Sequence, residues 1–250
     1  MNFARPTISL STRGTRLLRF TPPSPTFCCY QPARRKFSQT MSANNLSTPQ
    51  RRLQNPAIFV CDIQEKFRKA IWQFDKILFT SQKVLRAAQI LKIPIYVTTQ
   101  IKAKLGDTVP ELQELVAGAV SADKTRFSMM VPEVAKHFPV VPTTQLEGRR
   151  EVVIVGLESH VCVTQTALDL RARGHKVYVL ADGVSSCNEQ EVPIALARLR
   201  AEGVTVTTSE SWLYECMGNA EIAEFRDITK LVKETGEGTK TALGALFSKI

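Results

Sequence analysis

The sequence predicts an α/β fold, a parallel sheet with helices on both faces. Three observations carry that expectation. Short apolar, β-branched runs recur along the chain, and segments of helical periodicity separate them. Polar residues that bear chemistry sit where those runs end, and strand ends converge on one edge of a parallel sheet.

The elements follow in chain order. Ala57 to Cys61 (AIFVC) is an apolar strand that ends at Asp62, and Phe67, Ile71 and Trp72 lie in a segment that is half loop, half helix. Thr80 to Leu91 has helical spacing through Val84, Ala87, Ala88 and Leu91, and Pro94 opens a second strand, Ile95 to Thr99. Val109 to Leu115 predicts a short helix with Pro110 in its first turn. Ala119 to Ser121 predicts a short strand leading into Asp123 and Lys124, and Val131 to His137 another short helix. Val152 to Val155 reads as a buried strand ended by Gly156. A helix follows from about Val161, with Cys162 in its first turn and Gly174 at its C-terminal cap. Strand Lys176 to Ala181, helix Glu189 to Glu202 and strand Val204 to Thr207 complete the pattern, with Ser209 or Ser211 placed to cap what comes next. Alternation of this kind implies right-handed crossovers. One domain over 53–232 is expected, with a Gly- and Thr-rich tail over 233–250 read as loosely held, in which Ala242 to Phe247 is able to dock.

The net charge of +10 is not spread over the chain: residues 1–52 hold nine Lys and Arg and no acid, which leaves the remainder near neutral. A nucleic-acid partner would require a basic patch within the fold, so none is expected. The arm, rich in Arg, Ser and Thr, has the composition of a mitochondrial transit peptide, and Arg35-Lys36-Phe37-Ser38 resembles a matrix-protease cleavage site. The expected address is mitochondrial. A start at Met41 gives the alternative, cytosolic or peroxisomal, because Ser248-Lys249-Ile250 is one conservative change from a peroxisomal signal. No apolar run approaches a membrane span. Six cysteines, Cys28, Cys29, Cys61, Cys162, Cys187 and Cys216, form no CxxC pair, so free thiols are expected rather than a zinc site or a disulfide framework.

Asp62, Lys124 and Cys162 are the three strand-end residues of interest. At a helix N-terminus, beside an ammonium group, a cysteine is favoured as thiolate. A carboxylate within reach can take the thiol proton and later activate water. Each residue also has a plain structural reading, as turn former, solvated lysine and packed thiol.

Three segments sharpen the choice: DIQEKF from Asp62, DKTRFS from Asp123, and GLESHVCVT from Gly156. In order and spacing they resemble the signature segments of the isochorismatase-like cysteine hydrolase superfamily, and most closely its eukaryotic isochorismatase domain-containing group, over about residues 55–225. The resemblance implies a Rossmann-like three-layer fold with a six-stranded parallel sheet. It also implies Asp62 as proton acceptor, Lys124 as electrostatic support and Cys162 as nucleophile. A cis peptide bond at Leu157–Glu158 is implied as well, aiming the backbone N–H of Glu158, with that of Cys162, at the developing oxyanion. Nicotinamidases of the superfamily place an Asp and two His after the second strand, where this chain has Thr98, Thr99 and Gln100; no metal and no cofactor are expected. Isochorismatase itself lacks the cysteine, so Cys162 points instead to cleavage of a C–N bond, in a small amide or carbamoyl-type substrate, through a thioester. Gln100 is a candidate to hydrogen-bond a substrate amide, and Phe67 and Phe127 to line its pocket with Trp72, while His160 is assigned to the surroundings of the site. Cys187 and Cys216 are read as inert. The superfamily commonly assembles as dimers or tetramers, so a homo-oligomer is expected. The alternative function is a catalytically silent scaffold that binds a partner. A thiol redox protein lacks a resolving cysteine close in sequence, and a nucleotide binder lacks its glycine-rich loop.

Overall fold

The first strand, β1, spans Pro56–Cys61 and is buried throughout, as a strand with both faces covered must be. In this computed structural model residues 50–247 are described, apart from Thr143 and Leu146. Most of the basic arm, residues 1–49, and Ser248 to Ile250 therefore lie outside the described residues, and with them the expected address signals. After β1 come α1 (Phe74–Leu91), β2 (Ile95–Gln100), the single turns α2 (Lys102–Leu105) and α3 (Pro110–Gln113), β3 (Val120–Lys124) and α4 (Pro132–Ala135). The second half runs β4 (Glu151–Leu157), a π-helical turn over Ser159–Val163, α5 (Thr164–Ala172), β5 (Lys176–Ser185), α6 (Glu191–Ala201), β6 (Thr205–Thr207), α7 (Ser209–Met217), α8 (Phe225–Glu234) and α9 (Gly236–Phe247).

The six strands form one sheet in the order β3-β2-β1-β4-β5-β6, and every pairing is parallel. The predicted fold class is the one observed. Alternation within the strands divides the core. Ile58, Val60, Val153, Val155, Tyr178 and Leu180 face α1, α7 and α8, while Ala57, Phe59, Cys61, Val152, Ile154 and Val179 face α5 and α6. The chain starts at the middle of the sheet, builds outward to β3, then returns to lay β4 on the other side of β1. The reversal makes a crevice between the carboxyl ends of β1 and β4, the usual ligand site of open α/β sheets.

Several elements differ from the sequence reading. Helix α1 begins at Phe74, earlier than Thr80. Gly156 does not end its strand: β4 runs through it to Leu157 with a φ of 118° at the glycine. Strand β5 extends to Ser185, past Asp182 and Gly183, because Val184 and Ser185 pair with Gly156 and Leu157 of β4; the buried Asp182 carboxylate within it accepts from the backbone N–H (2.8 Å) and hydroxyl (2.5 Å) of Ser209. That engagement removes Ser209 from capping; Thr208 caps α7 instead, accepting from the N–H of Ser211.

The tail is not loose over its described part. The boundary expected after residue 232 falls inside α8, and residues 236–247 form α9. Gly238 allows close approach to α1, since a Cβ there would stand 2.2 Å from the Phe79 ring. Lys83, a fully buried lysine of α1, donates to Thr239 Oγ1 of α9 at 3.0 Å. Burial lowers the Lys83 pKa against the opposing charges of Asp182 and Glu210. Thr239→Val keeps the shape but deletes the acceptor, and is expected to cost about 1.5–3 kcal/mol, the range for hydrogen bonds to charged groups. Urea unfolding monitored by circular dichroism checks it; an unchanged midpoint would mean that Lys83 does not depend on this contact.

Candidate active site

Asp62 follows the last residue of β1 with φ 51°, in the left-handed region that non-glycine residues seldom occupy. The turn is held by its own backbone: Asp62 N–H donates to Thr98 O (3.2 Å) and Gln64 N–H to Asp62 O (2.9 Å). Its carboxylate is 1% exposed and fully engaged. Oδ1 accepts from the Thr98 hydroxyl at 2.8 Å, and Oδ2 accepts from Lys124 Nζ at 2.6 Å. Lys124, the last residue of β3, is itself buried. Its other contacts are Gln100 Oε1 at 2.7 Å and the Arg126 carbonyl at 3.1 Å, so all three ammonium donors have an acceptor. Burial alone would lower the Lys124 pKa, but the surrounding Cys61, Asp62 and Cys162 reverse this and raise it.

Cys162 lies in the π-helical turn between β4 and α5, not in the first turn of an α-helix starting at Val161. Such turns recur at functional sites. The chain enters the turn through a cis peptide bond at Leu157–Glu158. The Glu158 carbonyl accepts from the N–H groups of Val161 and Val163, both at 3.1 Å, and closes the turn. The Glu158 carboxylate faces outward along the rim, where it accepts from Cys187 N–H at 2.9 Å. Cys162 is 7% exposed. It packs with Cys61 in the core layer beneath α5 and α6. The three strand-end residues, distant in sequence, thus meet at the β1/β4 crevice.

The remaining candidates separate. Gln100 is committed within the protein: Oε1 receives Lys124, and Nε2 donates to Thr125 O at 3.0 Å. It positions the lysine. Phe67 is half-buried against the core, whereas Phe127 is 51% exposed beside the site segment. His160 Nδ1 lies 2.9 Å from Ser186 Oγ, and that hydroxyl lies 2.7 Å from Ser159 Oγ. Three residues escaped the sequence reading. Gln64 is buried and bridges β1 to β2 and its following loop, accepting from Gln100 N–H at 2.7 Å and donating to Gly106 O at 2.7 Å. Thr98 orients Asp62, and Cys61 shares the buried layer of Cys162. Gln64 had a signal in the DIQ segment; Thr98 and Cys61 had none.

Comparison with known proteins places the chain in a family. The isochorismatase domain family matches residues 56–211, from the first strand into α7. The chain belongs to the isochorismatase family. A secreted isochorismatase effector, Isc1, of Phytophthora sojae is 39% identical over 180 residues, covering 71% of this chain and 84% of the effector. Isochorismatase domain-containing protein 1 of Salmo salar is 42% identical over 175 residues, 70% of this chain, though the match spans only 60% of the salmon protein. Among solved structures, the MAR1 ribonuclease of Caenorhabditis elegans superposes with a TM-score of 0.66 at 37% identity, covering 74% of this chain and 91% of that one. This isochorismatase-family chain therefore shares its α/β fold with relatives that bear several functional names.

Proposed function

We propose that the protein is a cysteine hydrolase that cleaves the C–N bond of a small amide or carbamoyl-type substrate. The buried Asp62–Lys124 ion pair at 2.6 Å, set against the Cys162 thiol, carries this reading. Asp62 takes the thiol proton and the Cys162 sulfur attacks the carbonyl carbon. The oxyanion that forms is held by the backbone N–H groups of Glu158 and Cys162; donors of this kind are typically worth about 3–4 kcal/mol each in the transition state. The amine leaves with the proton from Asp62, and the carboxylate then deprotonates the water that hydrolyses the thioester. Lys124 stays charged throughout, fixing the Asp62 carboxylate and balancing the anionic intermediates.

The ribonuclease name of the C. elegans relative suggests an RNA substrate instead. Charge weighs against it here, since the fold is near neutral, and two of the cations near the strand ends are paired with carboxylates, Arg68 with Glu65 and Glu111, and Lys102 with Asp107. Turnover of a panel of small amides and ureides, acid-quenched and digested, tests the proposal. An acyl group should be found on the Cys162 peptide; turnover with no such adduct under single-turnover conditions, or turnover of RNA alone, would sink it.

Thiol selectivity provides a second check. Cys187 is exposed, but its hydrogen bond to the Glu158 carboxylate raises its pKa, and burial pushes Cys216 up to about 12. Iodoacetamide at neutral pH is expected to label Cys162 well before Cys187 and to spare Cys216 in the folded protein, because only the thiolate reacts. Quantified peptide labelling over time gives the answer, and equal rates at Cys162 and Cys187 would count against an activated nucleophile.

A further inference from the structure

Cys61 has no part in the hydrolytic scheme, yet it is buried in the same core layer as Cys162, close enough for the two thiols to influence one another electrostatically. The two are one hundred and one residues apart in sequence. The sheet brings them together: β1 pairs with β4 in the register that sets Cys61 against Gly156, and the turn after β4 carries Cys162 back over the end of β1. Their exposures differ. Cys61 has none, while Cys162 opens slightly to the crevice. A soluble oxidant therefore meets Cys162 first. The Cys61 thiol also reaches Asp62 Oδ2 at 3.7 Å, so a proton acceptor stands beside it.

We propose that Cys61 is a resolving thiol for Cys162, and that a peroxide converts the pair reversibly into a disulfide that silences the site. In the first step the Cys162 thiolate attacks one oxygen of hydrogen peroxide. The O–O bond breaks, sulfenic acid forms on Cys162, and the departing hydroxide takes up a proton to become water. In the second step the Cys61 sulfur attacks the sulfenyl sulfur, passing its proton through Asp62 to the leaving hydroxide, which departs as a second water. The thiols lose two electrons in all and the peroxide gains them. An external dithiol reverses the change by thiol–disulfide exchange. Burial, the nearby Cys162 and the Asp62 charge raise the pKa of Cys61, which keeps it a protonated reserve until a sulfenic acid appears next to it. The benefit is chemical: sulfenic acid trapped as a disulfide is spared irreversible conversion to sulfinic acid.

This inference rests on the reactivity of Cys162 assumed in the proposed function, and the experiment separates the two. The full chain is first labelled with iodoacetamide without oxidant, which reports on Cys162 alone. A second sample is treated with hydrogen peroxide, blocked with iodoacetamide and digested without reductant. The expected product is a peptide pair joined through Cys61 and Cys162 that dithiothreitol releases. In Cys61→Ser, sulfinic acid on Cys162 should rise about tenfold over wild type and resist dithiothreitol. Fast labelling of Cys162 with no joined peptide after peroxide overturns the resolving role and leaves the hydrolase reading intact. Failure of Cys162 to react with either reagent overturns both. The joined peptide is sought in wild-type protein, so the result does not depend on how Cys61→Ser folds.

Discussion

Cys162→Ala is expected to abolish turnover of every amide that the wild type hydrolyses, and adding Asp62→Asn to it should cost nothing more. Residues that act as a unit are not additive: once the nucleophile is gone, the base has no thiol to deprotonate. Singly, Asp62→Asn and Lys124→Met should each reduce kcat/KM by at least about 10³-fold, as losses within such a unit commonly do. Stability should separate these variants where activity does not. Lys124→Met leaves Asp62 buried at 1% exposure with only the Thr98 hydroxyl and the Cys61 thiol beside its carboxylate oxygens. Breaking a buried pair in this way costs about 3–5 kcal/mol, or on the order of 10 °C in Tm for a chain of this size. The double variant Asp62→Asn with Lys124→Met removes both charges and should recover a large part of that loss. Calorimetry of the four proteins closes the cycle. A double variant no more stable than Lys124→Met alone would show that the ion pair is not the source of the cost.

The parts of this site that sequence revealed are those whose signal is local. Asp62 and Cys162 end apolar strands and sit in recognisable segments, and Lys124 follows an acidic neighbour at a third strand end. The alternation of strands and helices likewise gave the parallel sheet. What escaped depends on register. Thr98 reaches Asp62 because Cys61 pairs with Thr98, and Gln100 reaches Lys124 because those two residues pair directly. No local pattern encodes either match, so the hold of Gln100 on Lys124 cannot be read along the chain. Cys61 is the sharpest case: its partner lies across the β1–β4 pairing, and spacing arguments about cysteines look only along the chain. Helix α9 was hidden for another reason. Gly236, Gly238 and Gly244 lower helix propensity, but at Gly238 the missing side chain is what lets α9 sit on the Phe79 ring. Tertiary packing there outweighs the local preference.

Gly156 lies within β4 rather than at its end, and that position makes Gly156→Ala the substitution with the largest expected effect on folding. Its φ of 118° is one that side chains rarely adopt, and an added Cβ would stand 2.1 Å from the Cys61 carbonyl oxygen and 2.8 Å from the Cys61 carbonyl carbon and nitrogen. These are backbone atoms of the paired strand, so no side-chain rotation relieves the clash. Either β4 moves away from β1 or the pairing fails at its carboxyl end, where the crevice lies. Both outcomes also displace the segments that carry Asp62 and Cys162. A loss of more than about 4 kcal/mol is expected, in the range that single substitutions reach only through strain or overpacking of this kind. Gly118→Ala is the control: nothing lies within 4 Å of a Cβ there and its φ is ordinary. It should be neutral, or stabilising by about 0.4–1 kcal/mol through the unfolded chain. Urea unfolding of both variants, with Cys162 alkylation as a local probe, distinguishes global from local failure. If Gly156→Ala unfolds at the wild-type midpoint, β4 does not approach Cys61 this closely, and the return of Cys162 toward Asp62 does not depend on the glycine.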